Sequence, residues 1–421
     1  MWRTLSKFLG VITIVPLMFL HMRLTPRQRM HAKMIRFLIQ SLGVVPIKIS
    51  QLYSNLYFYQ YSDSHRPLLL EELYALQDSC RTHSDAFTKK TLHSSPAVSA
   101  MIQQWDRSPL ASGSIAQIHR ARLYDENGKE EKEVVIKVRH PGVKRDFEEW
   151  MRVVRLCMTL INMLPTWIDP PSVGDVFSVM VALENQLDLR VEGVNLQQYH
   201  AWYSSSSSTG SLRIRIPKVY AAEEDLLVLE YVPKMSSTQF YNLSQKKQME
   251  LLTCLKLWMY DQVLVRNCIH GDLHDGNWGI VLSGEEVVVY DFGMVYREYS
   301  MDHLLMTLLQ MDTEAFHAEI SRVLSTKRLP LQDIERIFEH YRREKKIDMH
   351  LIQSLMDIFQ YHRIPVQSSI YLFFNLLIFV VSLQRSEWMR YGPDQIIKMD
   401  LVYARRIEGM EGIIPYLRKL L

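Results

Sequence analysis

The chain is predicted to fold as an α+β protein, with a helical N-terminal extension, a small β-rich lobe and a larger, mostly helical lobe. Three observations predict it. Alternating and β-branched runs are confined to the middle of the chain, at Ile115–Leu123, Val134–Val138, Ile216–Tyr220 and Leu226–Val232. Thr25 to about Gln77, and everything after about Asp302, carries helical patterning instead. Hydrophobic residues make up 48% of the 421, enough to bury a large core, and at roughly 150 residues per domain the length suits two or three structural units.

At the N-terminus, Arg3, Lys7, Arg23, Arg27, Arg29, Lys33, Arg36 and Lys48 all precede the first acidic residue, Asp63. The whole chain balances 49 Lys and Arg against 46 Asp and Glu; without these eight the remainder carries 41 against 46, a balance of −5. The basic excess therefore sits in the N-terminal segment ahead of Asp63. An acid-free, basic and apolar segment suits a mitochondrial transit peptide or a helix lying on an anionic membrane surface. Phe8–Leu20, 13 residues interrupted by Thr13 and Pro16, is shorter than the roughly 20 that a spanning helix needs. Residues 1–24 are thus expected to be a targeting segment or membrane anchor, the alternative being a helix packed on the domain that follows. Ile370–Leu383, 14 residues with Asn375 near the middle, is expected to be a buried core helix.

The net charge of +3 and the ordinary apolar fraction exclude wholesale disorder, collagen-like sequence and a strongly basic nucleic-acid binder. Cys80, Cys157, Cys254 and Cys268 form no CxxC pair, so they are expected as free thiols rather than a disulfide framework or a zinc site.

Along the middle of the chain, Arg81–Pro96 reads as a linker and Ser204–Gly210 as a flexible surface loop. The runs Ile115–Leu123 and Val134–Val138 flank Asp125-Glu126-Asn127-Gly128, a hairpin signal. Asp175–Tyr199 reads as a helix on which Glu184, Asp188 and Glu192, at i, i+4 and i+8, share one face. Three carboxylates there repel one another unless solvent or a cation meets them. Ser244 begins a helix with Leu251, Leu255, Trp258 and Met259 at helical spacing. The expected divisions are the leader at 1–24, the helical extension at 25–100, the N-lobe at 101–233 and the C-lobe at 234–421.

The strongest chemical signal is His270-Gly271-Asp272-Leu273-His274-Asp275-Gly276-Asn277, followed by the strand Val287–Tyr290 and Asp291-Phe292-Gly293. Phosphoryl transfer needs a carboxylate to orient or deprotonate the acceptor, and an Asn with a second Asp to hold Mg²⁺ on the phosphates. Asp272, Asn277 and Asp291 supply that set at a specific spacing. A zinc site on His270 and His274 requires a helix that Gly271 and Gly276 oppose. Upstream, Lys137 in V-V-I-K-V is the natural phosphate-binding lysine, and its carboxylate partner must come from the next helix: Glu192, with Asp188 one turn before it. Ala111-Ser112-Gly113-Ser114 occupies the place of a phosphate-covering loop, where small residues let backbone amides approach phosphates. Together these predict a two-lobed protein-kinase-like fold.

P-L-A-S-G-S-I-A-Q-I-H-R-A from Pro109, I-K-V-R-H-P-G-V from Ile136, D-L-R-V-E-G-V-N-L from Asp188 and D-F-G-M from Asp291 resemble the UbiB (aarF-domain) atypical kinase family over most of the chain, from about Gly43. Within it the sequence is most similar to the branch called aarF-domain-containing kinase two. The resemblance implies an extension folded across the nucleotide site with a K-x-G-Q motif, here Lys48-Ile49-Ser50-Gln51 with Ser for Gly, and Leu76-Gln77-Asp78 resembles the L-Q-D that follows it. Gln186 stands where the family usually has Glu, which leaves a neutral partner for Lys48 or shifts that lysine to Asp188. Gly113 stands where Ala-rich members have Ala, so nucleotide preference does not carry over. Glu230–Val232 resembles the hinge that receives adenine through backbone groups. No A-P-E follows Asp291, which removes the docking surface for a peptide substrate.

The resemblance further implies ATP (or ADP) and Mg²⁺ as cofactors and an atypical kinase or ATPase role in ubiquinone (coenzyme Q) biosynthesis or lipid homeostasis. The implied address is mitochondrial and membrane-associated, at the inner membrane, with an anionic membrane surface and a ubiquinone-biosynthesis complex as partners. Two other readings stay open. H-G-D-L-H-x-G-N also resembles small-molecule kinases of the aminoglycoside or choline type, and Ser50 with Gln186 suits a catalytically silent nucleotide-binding scaffold.

Overall fold

The structure is a computed structural model that describes residues 2–24, 28–58, 65–124, 130–162, 180, 183–203, 212–297, 301–324, 329–344, 348–362, 364, 368–383, 393–407 and 410–419. The Asp125–Gly128 turn and the Ser204–Gly210 loop lie outside them. Helices α1 (Trp2–Leu24), α2 (Arg29–Leu42), α3 (Val44–Phe58), α4 (Leu68–Tyr74), α5 (Asp85–Ser94) and α6 (Pro96–Met101) lead into strands β1 (Ile102–Trp105), β2 (Ala111–Ser112), β3 (Ala116–Tyr124) and β4 (Glu130–Arg139). Next come α7 (Val143–Asn162), α8 (Leu189–Tyr203), β5 (Ile214–Arg215), β6 (Val219–Ala222) and β7 (Leu226–Glu230). Then follow α9 (Ser237–Tyr241), α10 (Gln245–Leu264), β8 (Cys268–His270), β9 (Trp278–Ile280), β10 (Val287–Val289) and β11 (Val295–Arg297). The rest is helical: α11 (Asp302–Leu309), α12 (Thr313–Val323), α13 (Leu331–Glu344), α14 (Met349–Tyr361), α15 (Ser368–Leu383), α16 (Pro393–Ala404) and α17 (Ile414–Lys419). The chain forms two compact units, one of Met1–Gln197, Pro217–Tyr231 and Phe292–Met294, the other of Gln198–Ile216, Val232–Asp291 and Val295–Leu421.

In the first unit an antiparallel sheet runs β1-β3-β4-β7-β6, with β2 on β3. Period-2 alternation on β4 turns Val134, Ile136 and Val138 into a core with Leu92, Ala121, Leu123, Leu226 and Val228. Lys137, lying between two of them, takes the opposite face. The expected linker at Arg81–Pro96 is instead largely α5. Ser84 caps its N-terminus by accepting from the Phe87 amide, and Thr88, Thr91 and Leu92, at i, i+3 and i+4, are buried. The polar composition hid a helix whose inner face is satisfied by hydrogen bonds.

Two further expectations are corrected. The strand expected at Ile216–Tyr220 begins only at Val219, with β5 separate before it, because Pro217 has no amide to donate to a ladder. The continuous helix expected through Glu184, Asp188 and Glu192 is broken. Residues 183–186 are helical, then Arg139 donates to the Leu187 carbonyl and the Leu189 amide donates to the Glu224 carbonyl at 3.1 Å. Those tertiary bonds replace intrahelical ones, so the three carboxylates do not share a face.

Helices α1 to α4 share a core of Ile14, Ala32, Ile35, Ile39, Ile47, Leu69, Leu73 and Leu76. Lys7 is buried and paired with Asp146 of α7, and it donates to the Leu42 carbonyl at 3.2 Å. The same carbonyl accepts from Trp150 Nε1 at 3.0 Å, and Asp146 caps α3 by accepting from the Val44 amide at 2.8 Å. Gly43 joins α2 to α3 at φ 105°, and a Cβ there would run into the Asp146 carboxylate. Among the described residues no helix is long and apolar enough to cross a membrane.

In the second unit α10 is buried along almost its whole C-terminal half, from Leu251 to Leu264. Trp258, Tyr199, Phe316, Phe338 and Phe373 are its largest fully buried side chains. Ile370–Leu383 falls in α15, with Leu372, Phe373, Phe374, Leu376 and Leu377 buried, so this run is the expected core helix. All four cysteines are free, and Cys157 alone is only half-buried.

Candidate phosphotransfer site

In the first unit, Lys137 sits on β4 between Ile118 of β3 and Leu227 of β7. Its Nζ lies 2.9 and 2.7 Å from the two carboxylate oxygens of Glu192, with both side chains largely buried. Glu192 reaches it because α8 packs tightly on the sheet. A Cβ on the neighbouring Gly193 would lie 2.6 Å from that of Ala222 on β6. One turn on, buried Asn195 donates to the Phe292 carbonyl at 2.8 Å and ties the Lys137–Glu192 helix to the D-F-G segment. Sequence reasoning missed Asn195; its signal was the i+3 spacing from Glu192.

Asp188 turns away from this pair. Its carboxylate accepts from Arg190 at 2.6 to 3.1 Å, and those hydrogen bonds hold it below the usual carboxylate pKa. Lys48 and Gln51 are both buried on α3, and Gln51 Nε2 donates to the Leu76 carbonyl at 2.7 Å. Gln186 is buried as well. The loop Ala111–Ser114 commits two of its amides internally: Ser112 donates to Asp78 at 3.0 Å and Gly113 to Ala116 at 2.9 Å. A Cβ on Gly113 would meet only carbonyl oxygens at 3.7 Å, so nothing in the packing demands glycine there. At the hinge segment, the Glu230 amide donates to the Lys218 carbonyl at 2.8 Å.

In the second unit, β8 pairs with β11 and delivers the loop His270–Asn277. His270 Nε2 donates to the Tyr290 carbonyl at 3.1 Å, while its Nδ1 accepts from the Asp272 amide at 3.4 Å. Burial holds this imidazole below its usual pKa, which suits a neutral ring with one donor and one acceptor. Asn277 Nδ2 donates to the Asp272 carbonyl at 2.9 Å, and the Tyr290 amide donates to the Asn277 carbonyl at 2.8 Å. Asp272, Asn277 and the residue preceding Asp291 are thus one hydrogen-bonded cluster. Asp291 itself takes the left-handed φ of 55°, a conformation that surrounding structure must impose.

Two further residues brace this cluster. Lys234 Nζ donates to the carbonyls of Asp275, Gly276 and Trp278 at 3.2 to 3.3 Å. The Tyr290 hydroxyl donates to the Val232 carbonyl at 2.7 Å. An isolated lysine and tyrosine carry no sequence signal for such a role. Gly271 is required sterically, since a Cβ would run into the Tyr296 ring. His270 lies on a strand and His274 in the turn after it, so no helix carries the pair as a zinc motif does.

Residues 75–324 match the family described as the ABC1 atypical kinase-like domain. The chain belongs to the ABC1 family. The chain is 27% identical over 285 residues to "ABC1 family protein YPL109C, mitochondrial" of Saccharomyces cerevisiae, covering 61% of this chain and 42% of that one. It is 28% identical over 264 residues to "Probable protein kinase UbiB" of Tolumonas auensis, covering 60% and 45%. The chain spans less than half the length of these curated relatives. Among solved structures, the complex of Rv3197 with erythromycin from Mycobacterium tuberculosis aligns at a TM-score of 0.47 and 17% identity, over 80% of this chain and 90% of that one.

Proposed function

We propose that this ABC1 protein is a membrane-associated, Mg-ATP-dependent atypical kinase or ATPase that supports ubiquinone biosynthesis or mitochondrial lipid homeostasis, in the branch called aarF-domain-containing kinase two. The observation that carries the reading is the buried Lys137–Glu192 pair, because a lysine held by a helix carboxylate is what nucleotide phosphates require. Lys137 takes phosphate charge, Glu192 orients Lys137, and Asp272 orients or deprotonates the acceptor. The donors available for a metal are the Asn277 amide oxygen and the Asp291 carboxylate, hard oxygens that suit Mg²⁺. When bound, the ion neutralises charge on the phosphates. The mitochondrial address is supported by the name of the yeast relative and by the basic N-terminal segment.

The test is Mg-dependent phosphate release from ATP by purified full chain on anionic liposomes. Wild type is expected to turn over and Asp291→Asn to fall to background. Bound nucleotide without release from either protein would instead identify a scaffold.

Membrane association is supported by an inverted polarity in α1. Lys7, Ile14 and His21, seven apart, face inward, whereas Leu9, Leu17, Leu20 and Leu24 stand 39% to 69% exposed. On α2, Met30, Met34 and Phe37 are exposed beside Lys33. Exposed apolar side chains interleaved with cations, on a segment whose first acid is Asp63, match an anionic lipid surface. Leu17→Glu with Leu20→Glu is expected to cut co-flotation with anionic liposomes at least about tenfold. Unchanged flotation, or a wild-type dimer that the variant converts to monomer, overturns the lipid assignment.

A further inference from the structure

Beside the loop Ala111–Ser114, His83 and His140 form one hydrogen-bonded chain with Thr88 within the first unit, His119 packs against its end, and none of the three histidines has a role in the reading above. His119, fully buried, donates from Nδ1 to the Asp106 carbonyl at 2.8 Å, so its Nε2 accepts, and Gln117 Nε2 lies 2.8 Å from it. Thr88 Oγ1 lies 3.3 Å from the same Nε2 and 2.9 Å from His83 Nε2. His83 Nδ1 lies 2.7 Å from His140 Nδ1, and His140 Nε2 lies 3.1 Å from the Gly113 carbonyl.

A carbonyl only accepts, and this orders the protons. His140 Nε2 donates to Gly113, so the Nδ1 of a neutral His140 accepts; His83 Nδ1 donates to it, and His83 Nε2 accepts from Thr88. His140 Nε2 also lies 3.4 Å from Ser112 Oγ, whose own proton goes to the Arg81 carbonyl, so the nearer Gly113 carbonyl remains its main acceptor; at His119 Nε2 the proton comes from Gln117. Burial pushes all three imidazoles down, His83 to about 4, so neutral rings persist at ordinary pH.

The chain ends on a peptide that matters. Gly113 C=O and Ser114 N–H belong to one planar trans unit, so fixing the carbonyl aims the Ser114 amide in the opposite direction. Among the described residues no carbonyl accepts that amide, unlike those of Ser112 and Gly113. On its other side the loop is joined to the extension through the Cys80 amide, which donates to the Ser112 carbonyl at 2.7 Å.

We propose that His140, oriented by His83, is a positioning residue for nucleotide binding: it holds the Gly113–Ser114 peptide so that the Ser114 amide is presented to an anionic phosphate, and His83 makes this hold depend on the segment between the extension and the sheet. The inference rests on reading Ala111–Ser114 as the phosphate-covering loop.

Two conservative variants separate the bonds. His140→Gln places an amide NH₂ where Nε2 was and keeps the bond to Gly113; His140→Asn reaches only the Nδ1 position and keeps the bond toward His83. The full chain is titrated with Mg-ATP and with Mg-ADP by calorimetry, alongside thermal midpoints and a KM against kcat split. His140→Asn is expected to bind about tenfold more weakly, with KM raised and kcat little changed, while His140→Gln stays within about threefold of wild type. His83→Phe, which leaves His140 unheld, is expected to weaken binding as His140→Asn does. Equal affinity in His140→Asn and wild type, or an equal loss in Gln and Asn variants, overturns the proposal with the loop reading intact. Absence of nucleotide binding by wild type overturns the loop reading and this inference together.

Discussion

Glu192→Gln lowers Mg-dependent ATP turnover by about 10²-fold or more, the scale of losing one preorganised electrostatic element of a transition state. The amide keeps the shape of the carboxylate and removes the charge that holds Lys137 Nζ at 2.7 Å. Lys137→Met is expected to cost at least as much, since it removes the cation proposed to meet the nucleotide phosphates. The decisive readout is the double variant. If the two residues act as one unit, Lys137→Met with Glu192→Gln is no slower than Lys137→Met alone, because the carboxylate has nothing left to orient. Multiplicative losses, or Glu192→Gln within twofold of wild type, would show that the pair is structural. Rates are compared on protein whose near-ultraviolet circular dichroism matches wild type.

Asp400→Asn destabilises the protein by roughly 3–5 kcal/mol, the cost of breaking a buried ion pair from one side. Asp400 on α16 is wholly buried, and its carboxylate lies 2.6 Å from Lys256 Nζ on α10, itself only 3% exposed. Burial pushes the carboxyl pKa up and Lys256 pulls it back. At about 2–4 °C per kcal/mol for a unit of this size, the thermal midpoint should fall by roughly 6–20 °C. Replacing both partners, Lys256→Met with Asp400→Leu, should recover most of the loss, because two apolar side chains leave no uncompensated charge in the core. A single variant within 1 kcal/mol of wild type by denaturant titration sinks the argument.

Much of the site was legible in linear order because its signals are short-range. Asp272, Asn277 and Asp291 lie on one loop–strand–turn, so their spacing carries their chemistry. Lys137 was legible because β4 alternates, which fixes the face of a lysine flanked by Ile136 and Val138. The helix at Asp85–Ser94 was not, because two of its inward positions are threonines rather than apolar residues: Thr88 is bonded to His83 and Thr91 to the Phe87 carbonyl, which leaves no hydrophobic period to read. Lys234 and Tyr290 were also silent, since each acts through a single hydrogen bond or a set of backbone acceptors that no local pattern encodes.

The sequence by itself determined the order of parts and the residue types at the candidate site's motifs, since hydrophobic period, glycine placement and motif spacing depend on near neighbours. Glu192 is also named from the sequence as the partner of Lys137; only the tertiary structure decided how the other two carboxylates are turned away from that lysine. Glu184, Asp188 and Glu192 are equivalent on an uninterrupted helix, but Arg139 and the Glu224 carbonyl take over the backbone bonds at Leu187 and Leu189. That break gives Asp188 to Arg190 and Glu192 to the lysine 55 residues away. The same competition between local and distant partners turned Lys7 of a basic leader inward to Asp146 and put Asp400 in the core against Lys256. In both places a remote segment offers the counter-charge that makes burial of a charged side chain tolerable.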